Sequence, residues 1–302
     1  RQGVDNDFVQ AVYRGVASHC MYRFGNVTPG DKWEPMRPMV SRDQLANCLF
    51  QIAETSEILW QAPSTARRVV RACCVLSNNS EYASRAILMI FRLFRIGINS
   101  IETQPAVSNS DTLGYVQKDA ADGAMQLAVH CFKLEIRPDL LYPLLKWIAT
   151  HSCGQAKESL LRWLPSLIPH DRNLVWKLFD SALADAPPDL WSNAEKTLYC
   201  TYYQHFDEVN PRLKKLEVEA MGEESAQTFG RILTLAHLAE HVTIDELFDR
   251  LSDAHSGALK GSAEVFGSNL SQRNQLCTAG GIRLLNHPGL TVDAWKTLKR
   301  KY

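Results

Sequence analysis

His237-Leu-Ala-Glu-His241 is the segment whose residue types and spacing come nearest to chemistry. Histidines four apart on one helix share a face and can both reach one Zn²⁺, and an intervening Glu could activate a metal-bound water. The order matches the H-x-x-E-H motif of inverted zinc peptidases. A third ligand would come from downstream, where Glu246 and Glu264 are the nearby carboxylates. A zinc hydrolase at His237 and His241, with Glu264 as third ligand, is therefore one alternative function. Those peptidases are built on a mixed α/β scaffold, for which this chain shows no strand pattern.

A second candidate is cationic. Arg67, Arg68, Arg71, Arg85, Arg92 and Arg95 fall on one predicted helix pair, and an arginine face could hold phosphates or an acidic protein surface. A nucleic-acid-binding solenoid using these arginines is the other alternative. The charge balance disfavours it: 33 Lys plus Arg against 33 Asp plus Glu give a formal net charge of zero, whereas nucleic-acid affinity rests on neutralising phosphates. The third candidate is aromatic. Trp147, Trp163, Trp176 and Trp191, with Tyr199, Tyr202, Tyr203 and Phe206, crowd the middle of the chain. Neighbours such as Tyr202 and Tyr203 cannot both face inward on one helix, so one or two are expected as exposed anchors for a partner. No G-x-S-x-G, Cys–His nucleophile spacing or G-x-x-x-x-G-K-[ST] occurs, and no cofactor is implied.

These residues are positioned by helices. An apolar content of 45% fits a folded chain, and period-3.6 patterns run throughout without sustained period-two alternation. Two helices are predicted at about 7–24 and 41–60, the second capped by Ser41. Between them lies a loop with Trp33 and three prolines. A pair follows, with Ser64 and Ser80 as caps. Its strongest apolar run, Ala86 to Ile98, is too short to span a bilayer and carries Arg92 and Arg95. The polar stretch 98–118 reads as an irregular excursion loop.

Ala124, Ala156, Ala194, Ala226 and Ala258 then open five similar segments at steps of 32, 38, 32 and 32 residues. Each has a helical stretch, a polar or Pro-bearing turn, and a second helical stretch. Such a period signals stacked helix pairs whose faces grip another macromolecule. The longer step holds an insertion around Pro187 and Pro188. Pro211 is expected in a first helical turn, Thr243 as a cap with Glu246, and a final helix from Thr291. His205, His237 and Asn269 share one offset from their alanines, which predicts a polar ladder near helix ends. In this register His237–His241 is simply the end of a repeat helix.

Pro165, with Asp171 and Lys177 six apart, and the turn L-L-N-H-P-G-L-T before the last helix resemble HEAT repeats over about Asp122 to Tyr302. Asn286 stands where that family usually has Asp, and Asp293 near the place of its basic residue. The tetratricopeptide signature is missing. The resemblance implies an all-α solenoid of stacked antiparallel helix pairs, HEAT-like and irregular, with about 13–15 helices. It would comprise N-terminal helices and loop (1–62), a first pair (63–97), the excursion (98–118) and five repeats plus a C-terminal helix (119–302). The run S-A-E-V-F-G-S-N-L…C-T-A-G-G-I-R-L-L-N-H-P is also similar to C-terminal sensor regions of large bacterial STAND-type NTPases, which recognise a protein and release an effector. A start at Arg1 would suit a piece of such a chain.

The expected function is therefore a non-catalytic protein-recognition or scaffold module of a larger bacterial defence or signalling protein. Its partner would be another protein, with no membrane involved. Its partner-binding residues would be Arg67, Arg68, Arg71, Arg92, Arg95, Tyr203, His205 and His237. The eight cysteines form no C-x-x-C pair and mostly sit in apolar helical stretches, pointing to buried thiols and a cytoplasmic setting.

Overall fold

The period of about 32 residues has a direct spatial meaning: side-chain bonds between helices join residues about one repeat apart. Ser159 and Trp163 donate to Asp122, Thr228 to Glu195, Arg231 to Glu264 and Arg250 to Glu217. The computed structural model describes residues 6–25, 40–102, 110–219 and 222–299. Among them are sixteen α-helices, two 3₁₀ segments and no strand. None of these helices is long and apolar enough to cross a membrane. The predicted loop around Trp33 lies outside the described residues.

The chain forms two compact units, residues 1–182 and 183–302. The first holds α1 (Asn6–Phe24), α2 (Arg42–Thr55), α3 (Glu57–Trp60), α4 (Pro63–Leu76), α5 (Ser80–Glu102), α6 (Ser110–Lys133), α7 (Leu141–His151), α8 (Gly154–Trp163) and α9 (Arg172–Ala182). Within it, α1, α4, α6 and α8 contact one another in succession, and so do α2, α5, α7 and α9. The second holds α10 (Glu195–Thr201), α11 (Phe206–Glu219), α12 (Glu223–Leu238), α13 (Ile244–Ser252), α14 (Gly257–Asn269), α15 (Asn274–Leu285) and α16 (Val292–Lys299). Here α10, α12, α14 and α16 contact in succession. First helices of pairs therefore meet first helices.

Local chemistry sets many of the boundaries. Ser41 caps α2 in a full capping box with Gln44, and Thr243 Oγ1 accepts from the Glu246 N–H at 3.2 Å. Asp171 accepts from Leu174 N–H at 2.9 Å to start α9, and Thr291 from Ala294 N–H at 3.2 Å to start α16. Pro165 ends α8 by diverting it into the 3₁₀ segment Leu164–Leu167.

Other expectations are corrected. Ser64 does not cap α4, which starts on Pro63 after Ala62, since Pro at the first position lacks only an N–H that would go unpaired anyway. Asn79, one residue before Ser80, supplies the α5 cap by accepting from Tyr82 N–H at 2.8 Å. Ser56 both closes α2 and caps α3, splitting the predicted helix 41–60 and bringing the helix count to sixteen. Pro211 sits inside α11 rather than in its first turn, because Asp207 and Glu208 extend the helix backwards to Phe206.

The excursion 98–118 is largely helical. Helix α5 runs to Glu102 and α6 begins at Ser110, and only 103–109 lie outside the described residues. Small apolar residues hid this: Val116, Ala120 and Ala124 are spaced by four and buried, but alanine gives a weak apolar signal. The insertion around Pro188 is likewise no free loop. It forms a 3₁₀ segment, Pro188–Ala194, that packs Leu190 and Trp191 (1% exposed) into the core against α12.

The five repeat alanines are all buried, and the seam they mark is tightest between α12 and α14. A Cβ added at Gly230 would lie 2.0 Å from the Ala258 carbonyl oxygen; one at Gly261 would lie 2.2 Å from that of Gln227. Backbone there touches backbone, so the extra methyl has nowhere to go. Gly15, inside α1, has open space at the same position. Helix propensity favours Ala over Gly by about 1 kcal/mol at both sites. Denaturant unfolding should therefore show opposite signs: Gly15→Ala stabilises by about 0.5–1 kcal/mol, whereas Gly230→Ala destabilises by about 1–3 kcal/mol. A stabilising Gly230→Ala would show that the helices are not in backbone contact.

Candidate functional site

The helix carrying His237 ends before His241. Glu240 N–H bonds to His237 C=O at 2.9 Å and His241 N–H to Ala236 C=O at 3.0 Å, with Glu240 at φ 67°. That is a Schellman motif with Glu in the left-handed position, so the two histidines share no helix face. His237 is 5% exposed; its Nδ1 donates to Val242 C=O at 2.9 Å and its ring stands edge-on to Phe266. His241 instead donates from Nε2 to Tyr203 C=O at 2.9 Å and stacks on Phe206. Glu264 binds Arg231 at 2.7 Å. The shared-face geometry that motivated a zinc site is absent, and among the described residues no group of three His, Cys, Asp or Glu could hold a metal ion.

These imidazoles work as turn fasteners. In the same unit Gly257 N–H donates to His255 Nδ1 and Gly289 N–H to His287 Nδ1, both at 3.1 Å. Of the predicted ladder, His237 serves the turn after α12, while Asn269 donates to Val265 C=O within α14. His205, half-buried, sits after the turn that follows α10, where its carbonyl accepts from Val209 N–H. Equal sequence offsets do not give the three one role, because α10 is shorter than α12 and α14.

The arginine face is also corrected. Arg67 and Arg71 both pair with Asp119 on α6, and Arg71 lies 3.8 Å from Asp122. Arg85 makes a bidentate pair with Glu54 and covers Phe50; Arg92 pairs with Glu57 at 3.0 Å and lies over Trp60. Arg68 donates to Ser18 on α1. The side chains thus point to four different helices, α1, α2, α3 and α6, and serve to join them. Arg95 is exposed and stands apart from these pairs.

The aromatic expectation has a different outcome. Trp176 and Trp191 are core, and Trp163 donates from Nε1 to Asp122 at 3.0 Å. Tyr199 is 56% and Tyr203 62% exposed, and Tyr202 joins them with ring centroids 5.9 and 6.3 Å away. Burial, with the two neighbouring phenols, raises the Tyr202 pKa, which favours its neutral phenol. The main-chain carbonyl of Tyr203 is the group held by His241, so the tyrosine turn is fastened to the end of α12.

None of the eight cysteines is in a disulfide. Burial pushes Cys20 and Cys131 up to about 11 and Cys74 up to about 12, so they pack as apolar groups and are poor nucleophiles. The sequence reading missed a groove between α7 and α9 floored by Phe132, Leu141 and Leu174. Its only trace there was the Asp171–Lys177 spacing, read as a repeat mark.

Two measurements check this placement. At a helix C-cap with positive φ, Glu240→Gly relieves strain and should stabilise the chain by about 0.5–1 kcal/mol; on a continuing helix it would cost about 1 kcal/mol. The half-buried His130 has its pKa lowered, first by burial and then by Arg42 and Lys133, against a raising hydrogen bond with the Ser77 backbone. Its neutral form is favoured in the fold. Stability is therefore full above the ordinary histidine pKa of about 6.5 and is lost as pH falls through the lower folded value. Urea unfolding of wild type and His130→Gln across that range should show a smaller acid loss in the variant; equal losses would contradict it. No protein-family model, curated protein or solved structure matches this chain.

Proposed function

We propose that this chain is a HEAT-like α-solenoid that recognises another protein and has no catalytic role of its own. The exposed Tyr199–Tyr202–Tyr203 cluster carries this reading. Tyrosine is enriched at binding hot spots because it offers a large amphipathic surface with few rotatable bonds. Three adjoining rings at the end of one short helix form a ready anchor. The cluster sits on a rigid base: Tyr203 is tied to His241, and Thr197, Leu198 and Thr201 are buried beneath it.

The contacts between successive first helices support the solenoid reading, as does the joining of residues one repeat apart. The nucleic-acid alternative loses support, since four of its six arginines, Arg67, Arg71, Arg85 and Arg92, are engaged with Asp119, Glu54 and Glu57. The resemblance of the C-terminal segment to STAND sensor regions extends the proposal to a sensing module that controls an effector elsewhere in a longer cytoplasmic protein.

The test is a photo-crosslinking amino acid at position 203, with the adduct recovered from lysate of the source cell. One defined protein adduct is expected. Tyr199→Ser combined with Tyr203→Ser should lower affinity for that protein by about 10–100-fold without shifting the melting temperature. Unchanged affinity in the double variant would overturn the proposal.

A further inference from the structure

Most arginines that join elements in this structure face a carboxylate, whereas two exposed cations that line one groove of the first unit do not. Arg137 follows the α6 C-cap, where Glu135 takes φ 57°, and Lys177 projects from α9. Both are exposed and both line the groove between α7 and α9. Among the described residues no carboxylate is within ion-pair distance of either. Asp171 also lines the groove, but its Oδ1 accepts the Leu174 N–H that starts α9. Glu135 and Asp139 flank Arg137 in sequence and point to no ion pair with it. Arg137 is instead held in place by the ring below it: its guanidinium lies 3.9 Å over Phe132 and donates to Ile136 C=O at 3.3 Å.

The floor of the groove that these cations line is apolar. Phe132, Leu141, Leu145 and Leu174 form its floor, and Tyr142, 45% exposed, forms part of the wall. The cavity is about 420 Å³, room for one or two side chains with their backbone. Leu134 and Leu140 are exposed beside it. An apolar floor with two exposed cations in its lining, neither in an ion pair, complements one kind of ligand: an apolar side chain with negative charge beside it.

We propose that this groove binds an acidic peptide segment of a partner protein, with an apolar side chain seated on Leu141 and Leu174 and carboxylates facing Arg137 and Lys177. Arg137 is pre-oriented by Phe132, which lowers the ordering cost of the contact. The fork of a guanidinium suits a carboxylate in a bidentate pair, whereas Lys177 acts as a point charge. A free polyanion would meet the cations but leave the floor uncovered. The groove lies wholly on the first unit and is separate from the tyrosine cluster, so each site can fail alone.

The test uses the whole chain as bait for a phage library of random twelve-residue peptides. Counter-selection uses the Arg137→Glu, Lys177→Glu double variant. Both side chains are exposed and make no ion pair, and Arg137 gives up only its contact with the Phe132 ring, so the variant should melt within a few degrees of the wild type. Enriched peptides should combine Asp or Glu with Leu, Ile, Phe or Trp. Their affinity should fall by about tenfold or more in the double variant and weaken with salt. It should be unchanged in Tyr199→Ser, Tyr203→Ser. Leu174→Asn should weaken the same peptides without altering their charge preference. An enriched set without acidic bias, binding indifferent to charge reversal, or no enrichment at all would overturn the proposal. So would tripolyphosphate competing as well as the peptides, which would mark a simple anion site.

Discussion

At Gly230, Gly257 and Gly261 the backbones of α12 and α14 approach so closely that not one methyl group fits between them. This constraint organises the second unit. Carbonyl oxygens of Glu223, Gln227 and Ala258 lie where side chains would normally stand. Beside the seam, buried Thr234 and Ser262 hydrogen-bond at 2.9 Å, and Ser262 also reaches the Ala258 carbonyl. Such contacts tolerate little sliding, because a shift by one residue would drive a side chain into the opposing backbone. The close approach thus fixes register, and with it the spacing of whatever the helix ends display.

Charge reinforces that register. Arg231 bridges Glu195 and Glu264 at 2.7 Å each, joining residues of α10, α12 and α14. Arg250 lies between Glu217 and Asn210 of α11, and Arg283 pairs with Asp245 of α13. Partly exposed pairs like these contribute about 0.2–1 kcal/mol apiece, so they favour one alignment more than they supply stability. Four of the six arginines that suggest a phosphate face are cross-braces of the same kind.

The repeat was legible because small residues recur at fixed steps, and the caps at Ser41 and Thr243 were legible because their chemistry is local. What sequence hid was direction and context. Arg67, Arg85 and Arg92 look alike in sequence, yet their partners lie 52, 31 and 35 residues away, which no local pattern reveals. The His237–His241 spacing suggested one helix face, but Glu240 in a left-handed conformation ends the helix between them. Glycine there would have announced the cap; glutamate concealed it. The groove at Arg137 and Lys177 was invisible for the same reason as the ion pairs, since α7 and α9 build it jointly.

The proposed function rests on this frame. The tyrosine turn is fastened to α12 through His241, and α12 is fixed to α14 by the seam, so the proposed recognition surface would inherit its rigidity from backbone contact rather than from its own loop. Native-state hydrogen exchange tests that claim most directly. Amides of 229–236 on α12 and 258–266 on α14 should exchange only through one shared opening, with equal free energies and the same denaturant dependence. Exchange of α14 at a distinctly lower free energy, with α12 still protected, would contradict the account.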